Sequence, residues 1–350
     1  MAWRFHVQSL PSRVWVDRDL QLLDAKVTEA VNGPASIQGQ LPLSSETGAA
    51  LREWGSMVVA EQEGQEPVAA IVDRLNANGD WLTVEAGGFS MYPNGLPWMA
   101  ADFNGIKVDP LDMVRKVWAE VQRHPDGNLG VVVDSTTSPI RVGTPESKTG
   151  SSASGPFRLA WWDTEDMGKV ISDLAADTPF EYREQSAWSG EDITHRLRLG
   201  YPRLGARKDD LRFEVGVNVR VPRMADAEYA SEVIVVGAGE GRTKIFSGNL
   251  KTTATGRLRR VHRVADQSLI SKAAAIAAAR PFLARMGGVD SVESLEVVDH
   301  PAAPFGTFGP GDQIRIQGNA GWTQLDHWVR ILEKTVTCST GGMTLRVEAV

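Results

Sequence analysis

Over about the first ninety residues, apolar positions recur at two-residue spacing or run together for four to eight residues. "WRFHV", "SRVWV", "GSMVVAEQ", "PVAAIVDRL" and "DWLTVEAGG" show this, with Gly, Pro, Asn and Asp between the runs. A period of two puts alternate side chains on one face of a pleated strand, so this region is predicted to be strands and turns. The spacing is regular enough for a β-barrel or sandwich. "NANGD", between "AAIVDRL" and "WLTVEA", predicts a hairpin turn, because Asn and Gly tolerate positive φ.

The period then lengthens. In "VDPLDMVRKVWAEVQRHPDGN", Leu111, Val114, Trp118 and Val121 fall on one helical face, with Asp109 placed to cap and Pro110 in the first turn. "TEDMGKVISDLAADTP" predicts a second helix, capped by Thr164, with Met167, Val170, Ile171 and Leu174 as its buried stripe. Glu165 and Asp166 would complement that helix's N-terminus. A third helix, "SLISKAAAIAAARPFLARMGG", is Ala-rich, closed by Gly287 and Gly288, and expected to kink or end at Pro281. The Ser/Thr/Gly/Pro-rich stretch "STTSPIRVGTPESKTGSSASGPF" between the first two helices reads as an exposed loop.

Strands return from about residue 176. "LRFEVGVNVRV" alternates Leu211, Phe213, Val215, Val217, Val219 and Val221 with polar residues or Gly, predicting one strand with one buried face. "SLEVVDH", "DQIRIQG", "DHWVRILEKTVTC" and "MTLRVEAV" close the chain as further strands. The fold class is therefore β-rich α+β.

Composition changes this picture in three ways. A chain of 350 residues should divide into several compact units. Net charge is −7 with scattered basic residues, which offers no footprint for nucleic acid, and no run reaches the ~18 apolar residues of a membrane helix. The single cysteine, Cys338, excludes an internal disulfide framework and a thiolate metal cluster, and reads as a small buried hydrophobe.

Candidate chemistry is thin. "SEVIVVGAGEGR" puts Gly237 and Gly239 after a strand, but a dinucleotide fingerprint needs its third glycine at 242, where Arg242 stands, and no helical period follows. Gly237, Gly239 and Gly241 are expected to shape a tight strand connection. "GTPESKT" has Lys148 where a phosphate loop needs glycine, and "GFSMY" lacks the second glycine of a nucleophile elbow. The six histidines show no metal-ligand spacing. The acids of "WWDTED" and "FEYREQ", beside tryptophans, are the best glycosidase pair available, and eleven tryptophans suggest many packing sites or sugar contacts. No cofactor, metal site or catalytic residue is assigned, and the chain is expected not to be an enzyme.

Four stretches in succession resemble the minor tail proteins of actinobacterial long-tailed phages (siphoviruses) that form the baseplate or tail hub. They are "DPLDMVRKVWAEVQRHPDGNLGVVVD" (109–134), "FEYREQSAWSGEDITHRLRLGYPRLGARKDDLRFEVGVNV" (180–219), "SEVIVVGAGEGR" (231–242) and "GDQIRIQG" (311–318). The resemblance implies two tail-tube-like β-barrel domains per chain and a homotrimer at the virion's tail tip, made in the host cytoplasm. Three chains with two similar barrels join a sixfold tube to a threefold tip. It also implies as partners a distal tail protein, the C-terminus of the tape-measure protein, and other tail-tip or fibre proteins. By analogy the first barrel spans 1–100, a helix-bearing insertion 101–175, the second barrel 176–265, and a C-terminal helix-plus-strand part 266–350. Trp188, Tyr201, Pro202, Arg203 and the 135–156 loop are the expected interface positions. The alternative from another class is a receptor module that binds cell-wall polysaccharide; a glycosidase ranks third.

Overall fold

A computed structural model describes residues 3–43, 46, 50–145, 155–163, 166–222, 229–251, 258–267, 269, 271–287, 292–321 and 323–350. The first strand-rich unit contains β1 (Arg4–Ser9), β2 (Trp15–Asp17), β3 (Leu23–Ala30), β4 (Ser36–Pro42), β5 (Ser56–Glu61), β6 (Val68–Asn78) and β7 (Trp81–Gly88). All pair antiparallel, in the order β2-β1-β5-β6-β7-β4-β3. The Gly79–Asp80 turn joins β6 to β7, with Gly79 at φ 59°, as "NANGD" implied. β3 and β4 were not among the predicted strands. Charged and small residues interrupt β3, and its register slips beside Asp24, which sits at φ 49°.

The continuous apolar runs of β5 and β6 follow from burial on both faces. Val58, Ala60, Ala70 and Val72 face the unit's own core, while Met57, Val59, Ala69 and Ile71 pack into a second cluster beneath the middle of the chain. That middle unit comprises β8 (Phe103–Gly105), α1 (Pro110–Val121), β9 (Val131–Val133), β10 (Phe157–Leu159), α2 (Met167–Asp177), β11 (Glu181–Ser189) and β12 (Asp192–Gly200). Asp109 caps α1 by accepting from the Leu111 amide, with Pro110 in the first turn, and the predicted stripe is buried. Asp166 caps α2, accepting from Gly168 and Lys169, so the expected cap Thr164 is displaced; Thr164 and Glu165 lie outside the described residues. β11 and β12 form a hairpin, and β9 joins β12 in parallel.

The second strand-rich unit is assembled from β13 (Phe213–Glu214), β14 (Val219–Arg220), β18 (Ser294–Val297), β19 (Gln313–Asn319), β20 (Gln324–Thr337) and β21 (Gly342–Ala349). Its order is β13-β19-β20-β21-β18-β14, and a bridge between Val215 and Val219 links the two ends. "LRFEVGVNVRV" is thus two short strands and not one. Gly216, at φ 83°, reverses the chain, and buried Asn218 holds the turn by donating to Arg212 O and accepting from the Glu214 amide. β3 pairs with the second half of β20, fusing both units into one 13-stranded sheet. Among the described residues this sheet is open and closes no barrel. The two-barrel expectation reduces here to two strand-rich units, each with its own core, joined edge to edge.

Between β14 and β18 sits a small unit of β15 (Glu232–Val236), β16 (Leu250–Lys251), β17 (Val261–Ala265) and α3 (Lys272–Gly287). α3 continues through Pro281 to Gly287, so the helix does not end at the proline, and Gly288 lies outside the described residues. The range 176–265 therefore contributes to three clusters: the 181–200 hairpin to the middle one, 213–221 to that of the second strand-rich unit, and 232–265 to the small unit.

Candidate interaction surface

The strand-rich units and the middle unit meet at a polar joint. β12 ends in Gly200, and the chain turns through Tyr201, a cis Tyr201–Pro202 bond and Arg203 before entering the second strand-rich unit. A Cβ at Gly200 would lie 2.7 Å from the Leu204 side chain, so the close turn needs glycine there. Glu181 accepts from the Leu204 amide at 2.8 Å and pairs with Arg330, which is only 2% exposed and also reaches Glu348 at 3.4 Å. A guanidinium taken out of water at that depth requires such partners.

Above this joint opens a cleft of about 410 Å³. Its cations are matched one by one: Lys334 with Glu29, Arg183 with Glu66 at 3.4 Å, Lys208 with Asp312 at 3.6 Å, and Arg198 with Asp134 at 2.8 Å. Lys334–Glu29 and Arg183–Glu66 join different units, and all four pairings leave little field for an anionic substrate.

Beside the cleft, Glu184 projects from β11 into the first strand-rich unit. Its carboxylate accepts from the amides of Ala35 and Ser90, and a Cβ on Gly88 would collide with it. Burial, helped by Glu29, pushes its pKa up to about 7 against the pull of those amides. Among the described residues, Ser186 and His195 form the one buried hydroxyl–imidazole contact, 3.0 Å apart at Nδ1, and burial lowers His195 to about 4. Both are sealed inside, at 3% and 2% exposure, so no substrate carbonyl has access to the hydroxyl.

The sequence-predicted interface positions separate in the structure. Trp188 packs 5.5 Å from Trp15 and 5.4 Å from His6, tying β11 to the first strand-rich unit. Tyr201 is half-buried, whereas Pro202 and Arg203 are exposed, with Arg203 4.0 Å from Glu348. The 135–156 loop is described only to residue 145 and at 155–156. Gly237 stands where a Cβ would approach Leu269 O to 2.3 Å; Gly239 has φ 108° and Gly241 φ 53°, and the loop they shape leads from β15 to a bridge between Phe246 and Val236. Half-buried Cys338 packs against the first unit's core, and burial raises its thiol to about 12.

The exposed aromatic pair was missed as a surface. Trp161 and Trp162 are 55% and 46% exposed, edge to face at 5.6 Å, with Arg158 over the Trp162 ring at 5.1 Å. Their adjacency in "WWDTED" was the available signal, though it pointed toward glycosidase acids. Glu165 and the side chain of Asp163 lie outside the described residues, while Glu181 and Glu184 of the other acidic group are committed to the joint. Among the described residues no three His, Cys, Asp or Glu side chains gather as a metal-ligand set, and no helix is long and apolar enough to cross a membrane.

No family model and no curated protein matches this chain. Solved structures do. The 43 kDa tail protein of prophage MuSo2 from Shewanella oneidensis aligns with a TM-score of 0.58 at 11% identity, covering 99% of this chain and 98% of that one. The tail protein from Neisseria meningitidis MC58 gives 0.55 at 11% identity over 100% and 97%. Prophage tail protein gp18 from Listeria monocytogenes EGD-e gives 0.51 at 10% identity over 98% and 94%. The shared property is the fold, and it extends over nearly the whole of each chain.

Proposed function

We propose that this chain is a structural protein of a phage tail, acting as a trimeric hub between a sixfold tail tube and a threefold tip. The observation that carries this reading is the full-length likeness in fold to three tail proteins, two of them from prophages. Two further features support it. The strand-rich units lie side by side in one sheet, and each has its own buried core. Three such chains would set six similar units around an axis. The two tube-like domains would then be residues 1–100 and the combination of 206–221 with 292–350. The middle unit would run from 101 to the end of β12, and residues 229–287 would be inserted as a small unit.

In this reading the chain resides at the virion's tail tip. It contacts a distal tail protein, the end of the tape-measure protein and neighbouring tip or fibre proteins, without enzymatic activity or cofactor. Pro202 and Arg203, with Tyr201 behind them, are its interface positions, Trp188, at the opposite end of the β11–β12 hairpin, is a separate one, and Gly237, Gly239 and Gly241 serve as a structural turn. The exposed Trp161–Trp162 pair favours one second reading, a polysaccharide-binding surface.

Cryo-electron microscopy of the purified protein, classified without imposed symmetry, tests the proposal. Threefold rings with a central channel and six similar strand-rich densities are expected. Monomers that bind cell-wall polysaccharide saturably, with the binding lost in Trp162→Ala, would replace the hub with the receptor-binding reading.

A further inference from the structure

The small unit has one covered face and one open face. β15 reads Glu-Val-Ile-Val-Val and pairs in parallel with β17. Both features are typical of strands covered on both faces, although β15 also pairs antiparallel with β16. α3 covers one side, where Val233, Val235 and Val264 pack with Ala275 and Ala279. Paired residues share a face, so the other side carries three rows: Lys251, Glu232 and Val261; Ile234 and Arg263; Phe246, Val236 and Ala265.

On that side Phe246 and Val261 are 46% and 41% exposed, and Ile234 and Val236 are half-buried. None of the four belongs to a hydrophobic cluster of the described residues. The charge there is one-sided. Glu232 is satisfied by Arg259 at 2.8 Å and Lys251 at 3.1 Å, while exposed Arg263 has no ion-pair partner among the described residues. In a chain of net charge −7, this is a local cationic surface.

We propose that this face docks an amphipathic helix of a partner protein, its apolar stripe on Ile234, Val236, Phe246 and Val261 and its acidic flank on Arg263 and Lys251. Three strands about 4.8 Å apart span roughly 10 Å, the width of one helix. A helix laid there completes the helix–sheet–helix layering that α3 begins. Acidic flanks follow from the excess of cations on this face, Lys251, Arg259 and Arg263 against the one carboxylate of Glu232, which repels a basic helix and attracts an acidic one. The inference rests on the small unit's geometry and stands apart from the tail reading.

The test uses the full chain and a fluorescein-labelled 18-residue peptide, helical, with leucines on one face and glutamates on its flanks, against the same peptide with lysines for glutamates. Anisotropy should show saturable binding of the acidic peptide, about tenfold or more tighter than the basic one and weakened by salt. Phe246→Ser and Arg263→Glu alter exposed side chains and should each weaken binding about tenfold while leaving the thermal midpoint unchanged. Absence of saturable binding, equal binding of the two peptides, or wild-type affinity in both variants would overturn the proposal. Self-association in sedimentation, abolished by Phe246→Ser, would also overturn it by giving the face to a second copy of this chain.

Discussion

Replacing Glu184 by Gln should make stability less sensitive to pH, in a direction set by the joint. The carboxyl ionises near 4.5 in an unfolded chain and near 7 in the folded one, because the carboxyl of this half-buried residue is withdrawn from water and faces Glu29. The folded state therefore holds the proton more tightly than the unfolded state. Its contribution to stability is fully present below pH 4.5 and is lost as pH rises through 7. A displacement from 4.5 to about 7 corresponds to about 3 kcal/mol. Glutamine does not titrate, so the stability of Glu184→Gln relative to wild type should rise by about that amount between pH 4.5 and pH 8. Urea denaturation of both proteins across this range reads the difference directly, and subtraction cancels the other titrating groups, His195 included. A flat difference would refute the reasoning. So would one of opposite sign, which would mean that the Ala35 and Ser90 amides stabilise the carboxylate more than burial destabilises it.

Other expectations concern packing and the joint. Arg330→Met should cost about 3–5 kcal/mol in urea denaturation by stranding the Glu181 charge, and adding Glu181→Gln should recover part of the loss. Gly237→Ala drives a methyl against Leu269 O; hydrogen exchange should speed up within 229–287 and stay unchanged in the 13-stranded sheet. Trp188→Ala should destabilise by about 2–4 kcal/mol through lost contacts with Trp15 and His6. Arg203→Ala should shift stability by less than about 0.5 kcal/mol, since its ion pair is long and exposed, yet reduce trimer recovery by size exclusion if 201–203 is an interface.

Several features could be read from the chain because their causes lie within a few residues. The cap and first turn of α1 need only Asp109 and Pro110, and its buried stripe needs only the spacing of Leu111, Val114, Trp118 and Val121. The β6–β7 turn depends on Gly79 accepting positive φ, and the closing strands from β18 to β21 follow their own alternation. The glycine loop after β15 was read as a strand connection because Arg242 stands where a phosphate fingerprint needs glycine.

Other features depend on residues far apart. Nothing local marks β3, since its pairing to β20 joins Ala30 to Glu333 and makes two strand-rich units one sheet. The alternation of "LRFEVGVNVRV" remains intact on paper while Gly216 and the buried Asn218 amide fold it into a turn. The joint cannot be read in advance either: Glu181, Arg330 and Glu348 look like surface charges until burial forces them together. By itself the sequence determined the helices, the turns and the predominance of strands, which arise from backbone preference and side-chain period. Tertiary structure alone decided how the strands were shared among units, where charge was buried and which sheet face was left bare, because those depend on the free energy of removing distant groups from water together.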